Sequence, residues 1–266
     1  PGVGWNWCVR LAESCELFII TEGEFQEGIE RALVTLPQAG NMHFFYLPLS
    51  DRIRRMCWRQ GDWRFYFHYA RWQHRALSLA REICASHPLD IIHQLNMVGF
   101  RDPGLLWKIE GPRFIWGPIG GMALTPVQYF RDAPWQEQFR IRCKNFLNRF
   151  QRKYSRRVIQ AIRHADVVIC ASKEDIDIVS NHHQGNAVLI NETGTSDVSV
   201  PIRRGHASFH AIWVGKFMYR KQLGLALKVL SSLKDTPAIL NVVGTDSPQQ
   251  TAYYRTLAER MDISEI

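Results

Sequence analysis

Four short stretches of this chain carry residue types that suit a phosphorylated or polyhydroxylated ligand. The first is Gly215-Lys216-Phe217-Met218-Tyr219-Arg220-Lys221, with three cations within six residues directly after an apolar, strand-like run. Cations so placed neutralise a diphosphate and the charge it develops as a leaving group; the plain alternative is a solvated basic turn. The second is His93-Gln94-Leu95-Asn96, closing another apolar run. An imidazole at a strand end can bond a sugar hydroxyl or a phosphate near neutral pH, although a lone histidine often serves structure alone. The third, Gly117-Pro118-Ile119-Gly120-Gly121, follows a strand-like run, and its glycines let the main chain lie against a ligand or simply turn. The fourth is Gly2-x-Gly4 at the start of a helical pattern, where backbone N–H groups could meet a diphosphate. A dinucleotide fingerprint needs a third small residue and Trp7 stands in its place, so NAD and FAD are disfavoured and a plain tight turn competes.

Such stretches act together only on a scaffold that gathers them. Short apolar runs at 17–21, 44–49, 90–95, 113–117, 165–171 and 187–191 alternate with helical patterns at 70–86, 135–164 and 173–181. This alternation predicts an α/β fold built on a doubly wound parallel sheet, with ligand-binding loops at the C-terminal edge of the strands. At the front, 3–14 reads as a helix with no strand before the glycine turn. The polar stretch 196–208, SDVSVPIRRGHAS, reads as an interdomain linker. A second unit follows, with strands at 210–215 and 238–244 and helices at 223–233 and 249–261. Two strands and two helices hardly bury a core of their own, so this unit is expected to be the start of a larger domain. The expected division is a first domain over 1–200, lacking its first strand, and a second, cut short, over 201–266.

Composition narrows the partners. Among 266 residues, 46% are hydrophobic and 22% charged, and the net charge of +8 favours anionic partners. No stretch is long and apolar enough for a membrane span, and the N-terminus resembles no signal peptide, so a cytoplasmic protein is expected. The six cysteines lie far apart and read as scattered buried thiols rather than a disulfide or zinc framework. No histidine shares a metal-ligand spacing with His93, and His182-His183 reads as a solvated pair, so no metal is expected. Walker, GxSxG and HExxH motifs are absent. The segment 139–163, opening at Phe139 and closing at Arg163, carries nine Arg or Lys and no Asp or Glu. Cys143, Phe146, Phe150, Tyr154, Val158 and Ile162 recur on it at helical spacing. The favoured reading is one long core helix with a solvated cationic face; the sharper one is peripheral docking on an anionic membrane surface. Nucleic-acid binding is set aside, because these aromatics follow a stripe expected to be buried.

Taken in order, the motifs resemble those of the retaining glycosyltransferases of family 4. The stretches that carry the likeness are PGVGWNW at 1–7, HQLNMVGFRDPG at 93–104, WGPIGG at 116–121 and ADVVICASKED at 165–175. NETG at 191–194, WVGKFMYRKQLGLAL at 213–227 and VVGTD at 242–246 continue it. The resemblance implies the GT-B fold of two Rossmann-like domains, the first holding the acceptor and the second the sugar nucleotide. It implies roles for Gly2 and Gly4 near the donor phosphates and for His93 as the catalytic-cleft histidine. It also implies that Lys216 and Lys221 hold the diphosphate, with Gln94, Gly120, Gly121 and Gly244 in cleft loops. Lys216 stands where that family usually has arginine, exchanging a bidentate fork for a point charge, and Gln222 stands where it usually has glycine. The family's paired glutamates would lie beyond Ile266.

The implied activity is transfer of a sugar from a nucleoside diphosphate sugar to a hydroxyl of a glycan or lipid-linked acceptor, with retention, in polysaccharide or glycolipid synthesis. The sugar nucleotide is a co-substrate and no cofactor or metal is implied, since the cationic loop takes up the leaving group's charge. The chain alone is expected to be inactive and cytoplasmic, with peripheral contact at the inner face of the membrane as the alternative. The competing expectation is a non-catalytic binding or scaffold protein that kept the fold. His93, Gly2, Gly120, Lys216 and Lys221 are expected to converge on one interdomain groove.

Overall fold

Pairing of the apolar runs as parallel strands organises the molecule. In this computed structural model, residues 2–57, 62–95, 97–131, 133–194, 209–233, 237–244 and 247–263 are described. The chain divides into two units, one of Pro1–Thr125 with Cys143–Thr195 and one of Pro126–Arg142 with Ser196–Ile266. The expected linker 196–208 lies outside the described residues, as do Pro1, Asn96, Thr245 and Asp246.

The first unit opens with α1 (Gly2–Leu11), β1 (Leu17–Thr21), α2 (Gln26–Leu33) and β2 (Met42–Tyr46). Then come α3 (Asp51–Cys57), α4 (Trp63–Ser86), β3 (Ile91–Gln94) and β4 (Arg113–Ile119). Next are α5 (Trp135–Tyr154, which begins in the segment grouped with the second unit), α6 (Arg156–His164), β5 (Val167–Cys170), α7 (Lys173–His183) and β6 (Ala187–Leu189). β1 and β2 form a two-stranded parallel sheet. β3, β4, β5 and β6 form a separate four-stranded sheet in that order, with every neighbouring pair parallel. Its two central strands are apolar almost throughout because helices cover both faces. Trp116, Ile119, Val168 and Cys170 are fully buried there, against Val158 and Ile162 of α6 and Val179 of α7.

Side-chain caps fix where helices begin. Asp62 accepts from Arg64 N at 2.9 Å, starting α4 ahead of the periodic pattern at 70–86. Ser172 accepts from Asp175 N at 3.2 Å while its hydroxyl donates to Asp175 Oδ2 at 2.8 Å, a reciprocal cap that opens α7. At the front, Gly2 and Gly4 lie within α1 itself rather than in a turn leading to it.

The helix expected over 135–164 is two helices, parted at Ser155, whose backbone is extended. Its apolar stripe divides with it. Val158, Ala161 and Ile162 of α6 are buried, whereas Phe146, Phe150 and Tyr154 of α5 are exposed. The core-helix expectation therefore holds for α6 and fails for α5, because α5 turns an amide face inward and Asn148 is its buried residue. All six cysteines are free; Cys57 and Cys170 are buried and Cys15 is exposed, so the uniformly buried set expected of them is not found.

In the second unit, β7 (Phe209–Val214), α8 (Leu223–Ser231), β8 (Ala238–Val243) and α9 (Pro248–Arg260) follow one another. β7 and β8 pair in parallel over their whole length. Phe217, Leu223 and Leu227 are buried, with Tyr254 and Leu257 packed on them. Ile212, Val214 and Val243 stay exposed. Tyr219 Oη donates to Tyr129 O at 3.4 Å, which ties the segment 126–142 to this unit. The molecule is thus α/β with parallel sheets. Among the described residues no helix is long and apolar enough to cross a membrane.

Candidate functional site

In the first unit the site grows from the C-terminal ends of β3 and β4. Successive strand residues face opposite sides, so His93 and Gln94 part company. The His93 ring lies on the side of Gly117, with Nε2 at 2.7 Å from the Gly117 carbonyl oxygen. A carbonyl only accepts, so Nε2 carries the proton in that bond and, in the neutral ring, Nδ1 is left as an acceptor. Burial pushes the His93 pKa below its usual range, and the Gly117 bond offsets this in part. Gln94 is buried on the other side, packed on Gly104 with Gln73 beside it, and so does not line the His93 side.

Trp7 of α1 reaches the same place. Its ring meets His93 edge-on at 5.6 Å between centroids, and its Nε1 donates to the Glu192 carbonyl at 3.1 Å. Gly120 joins this group through its surroundings: a Cβ there would lie 3.7 Å from Ala171, 3.8 Å from Asp175 Oδ2 and 3.9 Å from Glu192 Oε1. The structure therefore gathers His93, Trp7, the Gly117–Gly121 loop and Glu192. Gly2 is exposed at the start of the helix that carries Trp7, with open space around it.

The glycines of that loop differ in why they are glycine. Gly117 has φ of 135°, and a Cβ on it would overlap the Ile169 backbone of β5. Gly121 has φ of 84°, a conformation that disfavours side chains although the space around it is open. Gly120 carries no such requirement; its N–H donates to Val98 O at 2.8 Å and its carbonyl accepts from Phe100 N at 3.3 Å. Asp175, 2% exposed, holds the loop's far end by accepting from Met122 N at 2.9 Å.

The depressed His93 pKa has a sign that can be checked. The folded state favours neutral imidazole, so its contribution is fully present above the unfolded value of about 6.5 and is lost as pH falls below it. Urea midpoints of the wild type should therefore drop more steeply from pH 7.5 to pH 5, on either side of about 6.5, than those of His93→Gln. Parallel curves for the two proteins would refute this assignment.

In the second unit the cationic loop follows β7. Lys216, Arg220 and Lys221 are exposed, while Phe217 between them is buried and anchors the loop. Trp213 Nε1 donates to the Lys221 carbonyl at 3.1 Å, pinning the loop's end back to the strand. Gly215 N donates to Val243 O at 3.0 Å, and a Cβ on Gly244 would overlap the Gly215 carbonyl. The ends of β7 and β8 thus meet in close main-chain contact, with the Trp213 ring packed on Gly215, 3.2 Å from where a Cβ would stand. Gln222, standing where the resembled family usually has glycine, adopts the left-handed conformation glycine favours, with φ of 56°.

Sequence reasoning did not single out Trp7, Asp175, Glu192 or Trp213 as site residues. For Asp175 a signal was present, the Ser-x-x-Asp spacing of a cap ahead of an apolar helix face. The Trp7–Glu192 bond spans 185 positions and has no local signature. Among the described residues no three His, Cys, Asp or Glu are grouped to hold a metal ion. No protein-family model and no curated protein matches the chain.

Proposed function

We propose that this chain forms the acceptor-side domain and the leading part of the donor-binding domain of a retaining glycosyltransferase that uses a nucleoside diphosphate sugar, both domains being Rossmann-like. The observation that carries the reading is the cationic loop of the second unit, with Lys216, Arg220 and Lys221 exposed directly after β7 at the C-terminal edge of a parallel strand pair. That edge is where doubly wound sheets bind ligands. Two exposed lysines at that edge supply charge for a diphosphate without a metal ion. The exposed apolar face at Ile212, Val214 and Val243 is of the kind that further strands and helices cover in a Rossmann-like domain.

In the transfer, a bond forms between the acceptor oxygen and the anomeric carbon while the bond from that carbon to the diphosphate breaks. The acceptor's proton is released, and the diphosphate leaves with an added negative charge that Lys216 and Lys221 stabilise. In the first unit, neutral His93 offers Nδ1 to a sugar hydroxyl, and the Gly120–Gly121 main chain borders a glycan or lipid-linked acceptor.

The reading is tested by calorimetric titration with UDP and GDP. Lys221→Ala should weaken binding about tenfold to a hundredfold at low salt, the worth of one desolvated charge-assisted bond. Its thermal melt should match the wild type, because Lys221 is exposed. Unchanged affinity for both nucleotides would return the loop to a solvated basic turn.

A further inference from the structure

α5 is an amphipathic helix mounted the wrong way round for a core helix. At about 100° of rotation per residue, Phe146, Leu147, Phe150 and Tyr154 fall in one sector, and Trp135 and Phe139 lie along the same line. All six are at least half exposed, with Phe146 at 69% and Phe150 at 54%. The opposite face is held inward by amides. Asn148 Nδ2 donates to Gly121 O at 2.9 Å, and Asn145 exchanges bonds with Thr125 N and O at 3.0 and 2.8 Å. Arg101 donates to Gln151 Oε1 at 2.7 Å and to Asn148. These bonds fix the helix's rotation, so the aromatic face cannot roll inward without stranding buried amides.

Cations border the exposed face. Arg142, Arg149 and Lys153 are exposed along one side and Arg140 along the other, and Lys153 Nζ lies 5.3 Å from the Tyr154 ring centre. From 139 to 163 there are nine Arg or Lys and no Asp or Glu. An aromatic ridge flanked by cations is the composition that inserts among anionic headgroups while the rings enter the acyl boundary. We propose that α5 docks this protein on an anionic phospholipid bilayer through Phe146, Phe150 and Tyr154, with Arg149 and Lys153 against the headgroups. A second copy fits poorly, since α5 against α5 would oppose like charges, its one carboxylate, Glu137, being paired already with Arg140 at 2.7 Å. A single-stranded nucleic acid fits poorly too, because a convex ridge offers no groove to follow a backbone. The sequence-based objection to nucleic acid, that these aromatics are buried, does not hold in the structure and is replaced by this one. The inference rests on α5 alone and is independent of the glycosyltransferase reading.

The test is co-sedimentation of the chain with vesicles of phosphatidylcholine alone and of phosphatidylcholine mixed with phosphatidylglycerol. The wild type should bind the mixed vesicles, release them as salt rises, and leave neutral vesicles unbound. Phe146→Ser with Phe150→Ser, and separately Arg149→Glu with Lys153→Glu, should each weaken binding about tenfold or more. Melting temperatures should hold, because both pairs leave the inward amides in place. Equal binding to neutral and anionic vesicles, or none to either, would overturn the proposal. So would a double phenylalanine variant that binds undiminished. A concentration-dependent dimer abolished by that variant, or tighter binding to a single-stranded oligonucleotide than to vesicles, would reassign the face and equally overturn it.

Discussion

Gly117→Ala should destabilise the first unit by about 2–6 kcal/mol, whereas Gly120→Ala, three positions on in the same loop, should cost less than about 1 kcal/mol. At Gly117 two costs add. The φ of 135° is one that side chains rarely adopt, and a Cβ would run into the Ile169 backbone, which is held in β5 and cannot swing aside. A backbone outlier costs about 1–3 kcal/mol and overpacking about 1–3 more. At Gly120 the nearest atoms to a new Cβ lie 3.7–3.9 Å away, which is ordinary contact. The loss at Gly117 is a large share of a domain's net stability of about 5–15 kcal/mol, so it should lower the urea midpoint markedly or abolish soluble expression. Because the Gly117 bond to His93 offsets the burial that depresses its pKa, a surviving variant that loses this bond should keep or steepen the difference in pH dependence between wild type and His93→Gln. Equal stability of the two alanine variants would contradict the loop geometry described here.

Asp175→Ala carries the second large effect. Its carboxyl group tethers the loop and braces the capping serine, accepting from Met122 N on Oδ1 and from the Ser172 hydroxyl on Oδ2. Truncation leaves the Met122 N–H without a partner in a place where Met122 is fully buried. A buried orphaned donor costs about 1–3 kcal/mol and a capping serine hydroxyl deprived of its acceptor about 1 more, so a total of about 2–4 kcal/mol is expected. Asp175→Asn keeps an acceptor for Met122 N and should cost roughly half as much. Denaturation of the three proteins measures this, and amide exchange at Gly120 and Gly121 should speed up in the alanine variant before global unfolding does. An alanine variant within about 0.5 kcal/mol of wild type would show that the loop is held by something else.

How far the sequence reveals all this depends on the range of the interactions. β5 was legible because Val-Val-Ile-Cys is apolar at every position, the pattern of a strand covered on both faces. β7 and β8 were legible for a similar reason, and their loop because cations directly follow an apolar run. α5 shows where legibility stops. Periodicity locates an apolar stripe but not which way it faces; here the decision lies with Asn145, Asn148 and Gln151 and their partners on Gly121, Thr125 and Arg101, 20 to 50 positions away. α4 starts earlier than its pattern because the aromatic-rich stretch 63–69 has no clear period, and only the Asp62 cap marks the start. In Gly117-Pro118-Ile119-Gly120-Gly121 the letters are alike, and only the neighbouring strand tells which glycine excludes a side chain.

The central claim is that the cationic loop at the strand ends of the second unit binds a nucleoside diphosphate. Mapping amide chemical-shift changes as UDP and GDP are added tests it most directly, because it separates a specific site from diffuse attraction to a chain of net charge +8. The account predicts that the changes concentrate on Gly215 to Lys221 and on Gly244, saturate with nucleotide, and shrink in Lys221→Ala. Changes confined to the basic face of α5, or none that saturate, would contradict it.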